Sequence, residues 1–170
     1  MKRKIVVIGQ DLFSIISKYF NFREDIEVCT FDFLPENLEC DLLILYDYNS
    51  ELSENVFDNF QILNVHPSLL PAFSGQDSIK RAYASGVKVS GVTVHRVQKD
   101  IFDGQILAQY PVLIGNTTHF DEFCNEIHSV VTFLVPKVVE AVLEDRVFDF
   151  GDLFAKKCSS GCCGCGGCSK

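Results

Sequence analysis

The sequence lacks long apolar runs and is short of positive charge. No apolar run reaches the roughly 18–20 residues that a membrane-spanning helix needs, so we expect no transmembrane segment. Lys and Arg number 15 against 23 Asp and Glu, which gives a formal net charge of −8. Generic binding to a nucleic-acid backbone requires clustered Lys and Arg, so this balance argues against it. A local basic site for one charged substrate remains compatible with the composition.

The N-terminus lacks the features of a secretory signal. Met-Lys-Arg-Lys precedes a short apolar stretch, but Gln10 and Asp11 interrupt that stretch and no small-residue cleavage site follows. We interpret this stretch as a buried strand and predict a cytoplasmic protein. Cys29, Cys40 and Cys124 are scattered through the body of the chain, as expected for incidental thiols of a reduced intracellular domain.

Chain length and composition predict one globular domain followed by a tail. The chain has 170 residues, of which 47% are hydrophobic and 22% charged, which is typical of a folded domain with a sizeable core. From residue 156 onward the sequence consists mainly of Cys, Gly and Ser. We predict an α/β domain over residues 1–155 and a flexible Cys/Gly-rich tail over residues 156–170.

The first half of the chain alternates between apolar runs and amphipathic segments. Asp11 is a suitable helix cap, and the apolar positions after it recur at helical spacing. Strands that alternate with helices predict an open, mostly parallel twisted sheet of the Rossmann type with flanking helices. The predicted strands are residues 4–9, 26–31, 41–46 and 60–65, and a helix is expected over 78–85.

The second half predicts a hairpin and a long helix. Half-buried strands are expected from residue 89 to about 97 and over 105–112, with Asp103-Gly104 favouring the turn between them. An apolar stripe predicts a helix over 121–144, which Pro136 should kink or divide.

Polar residues occur at the carboxyl end of the fourth predicted strand, in the string Asn64-Val65-His66-Pro67-Ser68-Leu69-Leu70-Pro71. Asn64 and His66 are two apart and therefore project to the same side of a strand. They lie at its carboxyl end, where open α/β sheets bind ligands. An amide can donate to a developing oxyanion, and an imidazole can donate or move a proton near neutral pH. Taken alone, Asn-x-His is more often a turn cap followed by a surface histidine.

The string Asn64–Pro71 resembles the signature of the folate-dependent formyltransferases, among them phosphoribosylglycinamide formyltransferase and the catalytic domain of methionyl-tRNA formyltransferase. Two downstream strings, Gly91-Val92-Thr93-Val94-His95 and Phe102-Asp103-Gly104-Gln105-Ile106-Leu107-Ala108-Gln109, resemble the family's second motif block. The resemblance covers residues 41–146, and it implies a formyltransferase-like fold.

The resemblance also implies the roles of the site residues. Asn64 would hold the formyl oxygen, His66 would stabilise the same charge or assist proton movement, and Asp103 would orient His66 and help collect the proton of the attacking amine. Asp103 alone could simply favour its turn. His95 is left as a supporting residue, and Ser68, which lacks a Gly-x-Ser-x-Gly context, is expected to cap its loop.

The family resemblance implies that 10-formyltetrahydrofolate donates the formyl group. It implies that a small-molecule amine accepts it. The pterin would lie between the loop after the third strand and the loop before Asp103. The expected contacts are Tyr48, Leu52, Lys99, Asp100 and Ile101.

The N-terminal half departs from the family pattern. It is shorter than in the purine enzyme, by about one β-α unit, and no Gly-rich phosphate loop follows the first strand. Gly9-Gln10-Asp11-Leu12 stands there instead and introduces an acid, which disfavours a phosphoribosyl acceptor.

The tail carries five closely spaced thiols. Thiolate ligands at this spacing suit Zn, Cu(I) or an iron–sulfur centre, whereas the Gly and Ser spacers are equally typical of a disordered, redox-reactive tail or of one without a defined role. The candidate metal ligands are Cys158, Cys162, Cys163, Cys165 and Cys168.

The sequence therefore predicts an enzyme that moves a formyl group from 10-formyltetrahydrofolate to an amine. Two alternatives remain. Water could be the acceptor, as in formyltetrahydrofolate hydrolase, or the domain could be a non-catalytic binding or regulatory module whose Cys-rich tail binds metal or acts in redox chemistry.

Overall fold

A computed structural model describes residues 2–35, 37–46, 48, 52, 54–98, 101 and 104–154. One six-stranded sheet, in the order β2-β1-β3-β4-β5-β6, runs through them. The elements in chain order are β1 (Arg3–Ile8), α1 (Gln10–Phe20), β2 (Ile26–Thr30), β3 (Leu42–Tyr46), α2 (Glu54–Asn59), β4 (Gln61–His66), α3 (Ser78–Ala84), β5 (Val89–Val97), β6 (Gly104–Leu113), α4 (Phe120–Leu143) and a 3₁₀ turn, Phe150–Leu153.

Strands β2, β1, β3 and β4 pair in parallel, whereas β4–β5 and β5–β6 pair in antiparallel register. The predicted open and mostly parallel sheet with flanking helices is thereby confirmed. The chain leaves β1 for β2 on one side and returns to β3 on the other, so the order reverses between β1 and β3. In open α/β sheets ligands bind at the carboxyl ends of the strands at such a reversal.

The central strands are apolar on both faces because both faces are covered. Leu42, Leu43, Ile44 and Leu45 of β3 are all at most 1% exposed. Helices α1 and α4 cover one face, where Leu42 and Ile44 belong to the larger apolar core. Leu43 and Leu45 point into a smaller core on the opposite face. This smaller core, called here the α2-side core, lies beneath α2 and the segment before β3.

One local prediction was wrong, and of the two outcomes expected at Pro136 one is excluded. Asp11 lies in the first turn of α1 rather than at its cap, which is Gly9. Pro136 does not divide the last helix, because α4 runs without interruption from Phe120 to Leu143. The helix loses one backbone donor at Pro136, but Pro136 is buried with Val135 and Val138 on its core face.

Helix α2 was missed, since its six residues are mostly polar. Of its residues, Val56 and Phe57 are seen to pack against the α2-side core. No described helix has the length and apolarity to cross a bilayer.

Candidate active site

Asn64 and His66 lie side by side at the carboxyl end of β4. Both belong to the face that looks toward the α2-side core, because Ile62, two residues earlier, packs in that core. Asn64 is 1% exposed and His66 2% exposed. Burial of two polar side chains costs free energy unless they are hydrogen-bonded, so their partners define the chemistry of the site.

The loop between β5 and β6 fixes the amide of Asn64. Its Nδ2 atom donates to the carbonyl oxygen of Ile101 at 3.0 Å. A carbonyl oxygen only accepts, so this contact assigns Nδ2 and Oδ1 of the side chain. The amide is held in one orientation before any substrate arrives.

The imidazole of His66 is fixed by the turn that follows β4. Its Nε2 atom lies 3.1 Å from the carbonyl oxygen of Phe73. Since that oxygen can only accept, Nε2 carries the hydrogen and Nδ1 is the ring nitrogen that can gain or lose a proton.

The loop after His66 is tied to β5 by Thr93. In the β4–β5 register Thr93 lies opposite His66, and its side chain is fully buried. The Thr93 hydroxyl donates to the Ser68 carbonyl oxygen at 2.6 Å and accepts from the Leu70 N–H at 3.0 Å. One side chain thus satisfies two backbone groups of the buried loop.

Gln109 of β6 completes this attachment. Its Nε2 atom donates to the Leu70 carbonyl oxygen at 2.8 Å and lies 3.1 Å from Thr93 Oγ1. Ser68 Oγ donates to the Ala72 carbonyl oxygen at 2.7 Å, as expected for a loop-capping hydroxyl. The second sequence motif therefore supports the first through side chain–backbone bonds.

Gly91, in the same motif, lets the strand and the loop approach closely. A Cβ atom at this position would lie 2.1 Å from the Tyr110 carbonyl oxygen and 2.9 Å from Leu69 Cδ2. The contact with the Tyr110 carbonyl leaves no room for a methyl group unless the backbone moves.

The structure brings three of the expected folate contacts together. Ile101 is a buried member of the α2-side core. Tyr48 and Leu52 are half-buried and pack against the same core. Ile101 also accepts the hydrogen bond from Asn64, so the apolar cluster directly adjoins the amide. Lys99, Asp100 and Asp103 lie outside the described residues, as do Cys158, Cys162, Cys163, Cys165 and Cys168.

His95 lies opposite Asn64 in the β4–β5 register and is 1% exposed. His95 therefore lies on the same face of the sheet as Asn64. No individual role for Thr93, Gln109 or Phe73 was predicted from the sequence. Thr93 and Gln109 stand in the two strings of the second motif block, which was the available signal. Phe73 contributes its backbone carbonyl to the contact with His66, and no side-chain pattern could have found it.

The thiols of the body show no sign of activation. Burial raises the pKa of Cys40 to about 11, and burial likewise raises the pKa of Cys29 and of Cys124. Because their pKa values are raised, these three thiols are protonated near neutral pH. The thiolate is the nucleophilic and metal-binding form of cysteine, so the three are poorly suited to either role. Within the described ranges no group of three or more His, Cys, Asp or Glu side chains could hold a metal ion.

Comparison with known proteins agrees with this geometry. A family model described as "Formyl transferase" matches residues 30–139. Phosphoribosylglycinamide formyltransferase of Bacillus subtilis is 34% identical over 107 residues, which cover 62% of this chain and 55% of that protein. Formyltetrahydrofolate deformylase of the same organism is 32% identical over 116 residues, which cover 67% of this chain and 39% of that protein.

A solved structure shows the same fold. The crystal structure of glycinamide ribonucleotide transformylase 1 from Geobacillus kaustophilus superposes with a TM-score of 0.69 at 26% identity and covers 84% of this chain and 99% of that one. The chain thus spans nearly all of that structure but about half or less of the two curated relatives it matches.

Proposed function

Because the chain belongs to the formyl transferase family, we propose that it transfers the formyl group of 10-formyltetrahydrofolate to a small-molecule amine. The single observation that carries the proposal is the pair of buried, preoriented polar side chains, Asn64 and His66, at the carboxyl end of β4.

The chemistry follows from where charge develops. 10-Formyltetrahydrofolate supplies an activated formyl carbon, and attack by an amine places negative charge on the formyl oxygen. Preorganised donors at such an oxygen are commonly worth about 3–4 kcal/mol each. The Asn64 amide has two N–H groups and commits one to Ile101, which leaves the other for the formyl oxygen.

His66 and Asp103 would manage the proton. Nδ1 of His66 is the exchangeable ring nitrogen, since Nε2–H donates to Phe73. Asp103 precedes Gly104, the first residue of β6, in the loop that also contains Ile101. We assign to Asp103 the orientation of His66 and the collection of the proton that the attacking amine loses.

For the pterin we assign the apolar cluster beside Asn64. Ile101, Leu52 and Tyr48 would form its walls, and Lys99 and Asp100 would contribute from the same loop as Ile101. The fit rests on Ile101, which belongs to the cluster and holds the catalytic amide at the same time.

The acceptor is expected to lack a phosphate group. No Lys, Arg or His occurs between Arg23 and His66, a stretch that contains the loops after β2 and β3. At the carboxyl end of β1, Gln10 Nε2 donates to the Asp32 carboxylate at 3.2 Å. Acidic groups at the strand-order reversal repel a phosphate, and neutral groups there supply no compensating positive charge, so the site suits a neutral or cationic amine.

Hydrolysis is the second candidate, because formyltetrahydrofolate deformylases match the chain at nearly the same identity as the transferases. In a deformylase water takes the place of the amine, and the same three residues would serve.

The test is a partition assay with 10-formyltetrahydrofolate. Release of tetrahydrofolate is measured with and without a panel of amines, each offered with and without a phosphate group, and formate and formylated amine are quantified. We expect release by wild type to rise with an unphosphorylated amine and an Asp103→Asn variant to lose it. Formate as the product regardless of amine would assign hydrolysis. Equally slow release by wild type and variant would contradict catalysis and favour a non-catalytic binding or regulatory module.

A further inference from the structure

The turn between β4 and α3, residues 73–77, has an unusual backbone. Phe73 and Asp77 have φ of 55° and 54°, in the left-handed region, and Gly75 between them has φ of 86°. For residues with a Cβ atom this conformation is unfavourable, and it persists only where surrounding contacts enforce it.

The Arg81 side chain of α3 binds two backbone carbonyl oxygens of this turn. Its Nε atom donates to the Gln76 carbonyl oxygen at 3.0 Å, and its Nη2 atom donates to the Ser74 carbonyl oxygen. The guanidinium is a rigid planar fork, so binding two carbonyl oxygens with different nitrogens fixes their relative positions.

The same turn contacts the active site through Phe73. The Phe73 carbonyl oxygen accepts the hydrogen bond from His66 Nε2. Phe73 and Ser74 are adjacent, so the carbonyl held by His66 and the carbonyl held by Arg81 belong to successive peptide groups of one turn. A continuous series of contacts therefore runs from the exposed Arg81 to the buried imidazole.

We propose that Arg81 is a positioning residue for His66: it holds residues 73–77 so that the Phe73 carbonyl keeps the proton of the imidazole on Nε2. The effect of Arg81 on the reaction rate rests on the proposed function, whereas its effect on the His66 tautomer does not. Loss of Arg81 is expected to loosen this turn and so to weaken the preference of the imidazole proton for Nε2.

The direct test is ¹⁵N NMR of the histidine rings in the full chain without substrate. The sequence has only four histidines, so a His66→Gln spectrum assigns the His66 signals. Wild type is expected to show one protonated Nε2 and one unprotonated Nδ1 for His66 above its titration range. An Arg81→Met variant is expected to show averaged nitrogen shifts.

A neighbouring residue supplies the matched control. Lys80 is exposed and forms an ion pair with Asp77 at 3.1 Å. Lys80→Met therefore removes a cation from the same helix turn and leaves the hydrogen bonds from Arg81 to Ser74 and Gln76 in place. Lys80→Met is expected to keep the wild-type tautomer. Arg81→Lys, which restores one donor, is expected to recover part of the Nε2 preference.

The kinetic arm uses tetrahydrofolate release. We expect Arg81→Met to lower kcat on the order of tenfold with KM for the folate donor unchanged, because a misoriented group slows chemistry more than binding. A single Nε2–H tautomer in Arg81→Met, or an averaged tautomer with unchanged kcat, overturns the proposal. Absence of release by wild type contradicts the proposed function instead, and the NMR result then decides whether Arg81 fixes the ring.

Discussion

At the scale of single residues, individual polar side chains of the candidate site can each form two hydrogen bonds. The Asn64 amide binds Ile101 and retains a second N–H, and the Thr93 hydroxyl both donates and accepts. Buried polar groups of this kind are costly when one partner is lost, because the remaining group keeps its desolvation cost. Substitutions that preserve size and remove one donor should therefore be informative.

Gln109→Met is such a substitution. It leaves the Leu70 carbonyl oxygen without its side-chain donor and should lower the free energy of unfolding by about 1–2 kcal/mol, as measured by urea denaturation. Because the loop that begins at His66 is loosened, tetrahydrofolate release should fall more than stability alone explains. Gln105→Met, an exposed position on the same strand, is the control and should change neither. If both variants behave alike, the attachment of the loop through Gln109 is wrong.

At the scale of elements, the sequence predicted what burial dictates. Continuous apolar runs identified β1 and β3, since both faces of these strands are covered. The motif strings placed Asn64 and His66 on one face by the two-residue period alone, and the structure has them there.

The remaining details depend on tertiary contacts that no local pattern encodes. Helix α2 is too short and polar to show a periodicity, and it forms where Val56 and Phe57 meet the α2-side core. Pro136 was expected to kink or divide α4, but the apolar face on both sides of it is buried and the helix continues. The contact between His66 and Phe73 depends on the left-handed turn, and backbone carbonyls leave no signature in a sequence.

At the scale of the whole molecule, the chain combines a formyl transferase fold over residues 30–139 with a Cys-rich end. We propose that residues 1–155 form the domain and residues 156–170 a separate tail. The three thiols of the body have raised pKa values and are poor metal ligands near neutral pH, so any bound thiophilic metal should depend on the tail.

Deletion of residues 156–170 tests this division. The shortened chain should unfold at the same urea concentration as the full chain and release tetrahydrofolate at the same rate. If the tail binds Zn, Cu(I) or an iron–sulfur centre, elemental analysis should find stoichiometric metal in the full chain and none after the deletion. A full-length protein purified without metal would exclude the metal role, and a large loss of stability on deletion would contradict the domain boundary.

The central claim is that the Asn64 amide stabilises the charge that develops on the formyl oxygen, and one rate comparison tests it most directly. Tetrahydrofolate release from 10-formyltetrahydrofolate is measured for wild type and Asn64→Ala at saturating donor, with thermal unfolding to verify that the variant folds. Loss of one preorganised oxyanion donor should lower kcat by about 10²–10³-fold. A folded Asn64→Ala variant with a kcat close to that of wild type would contradict the account.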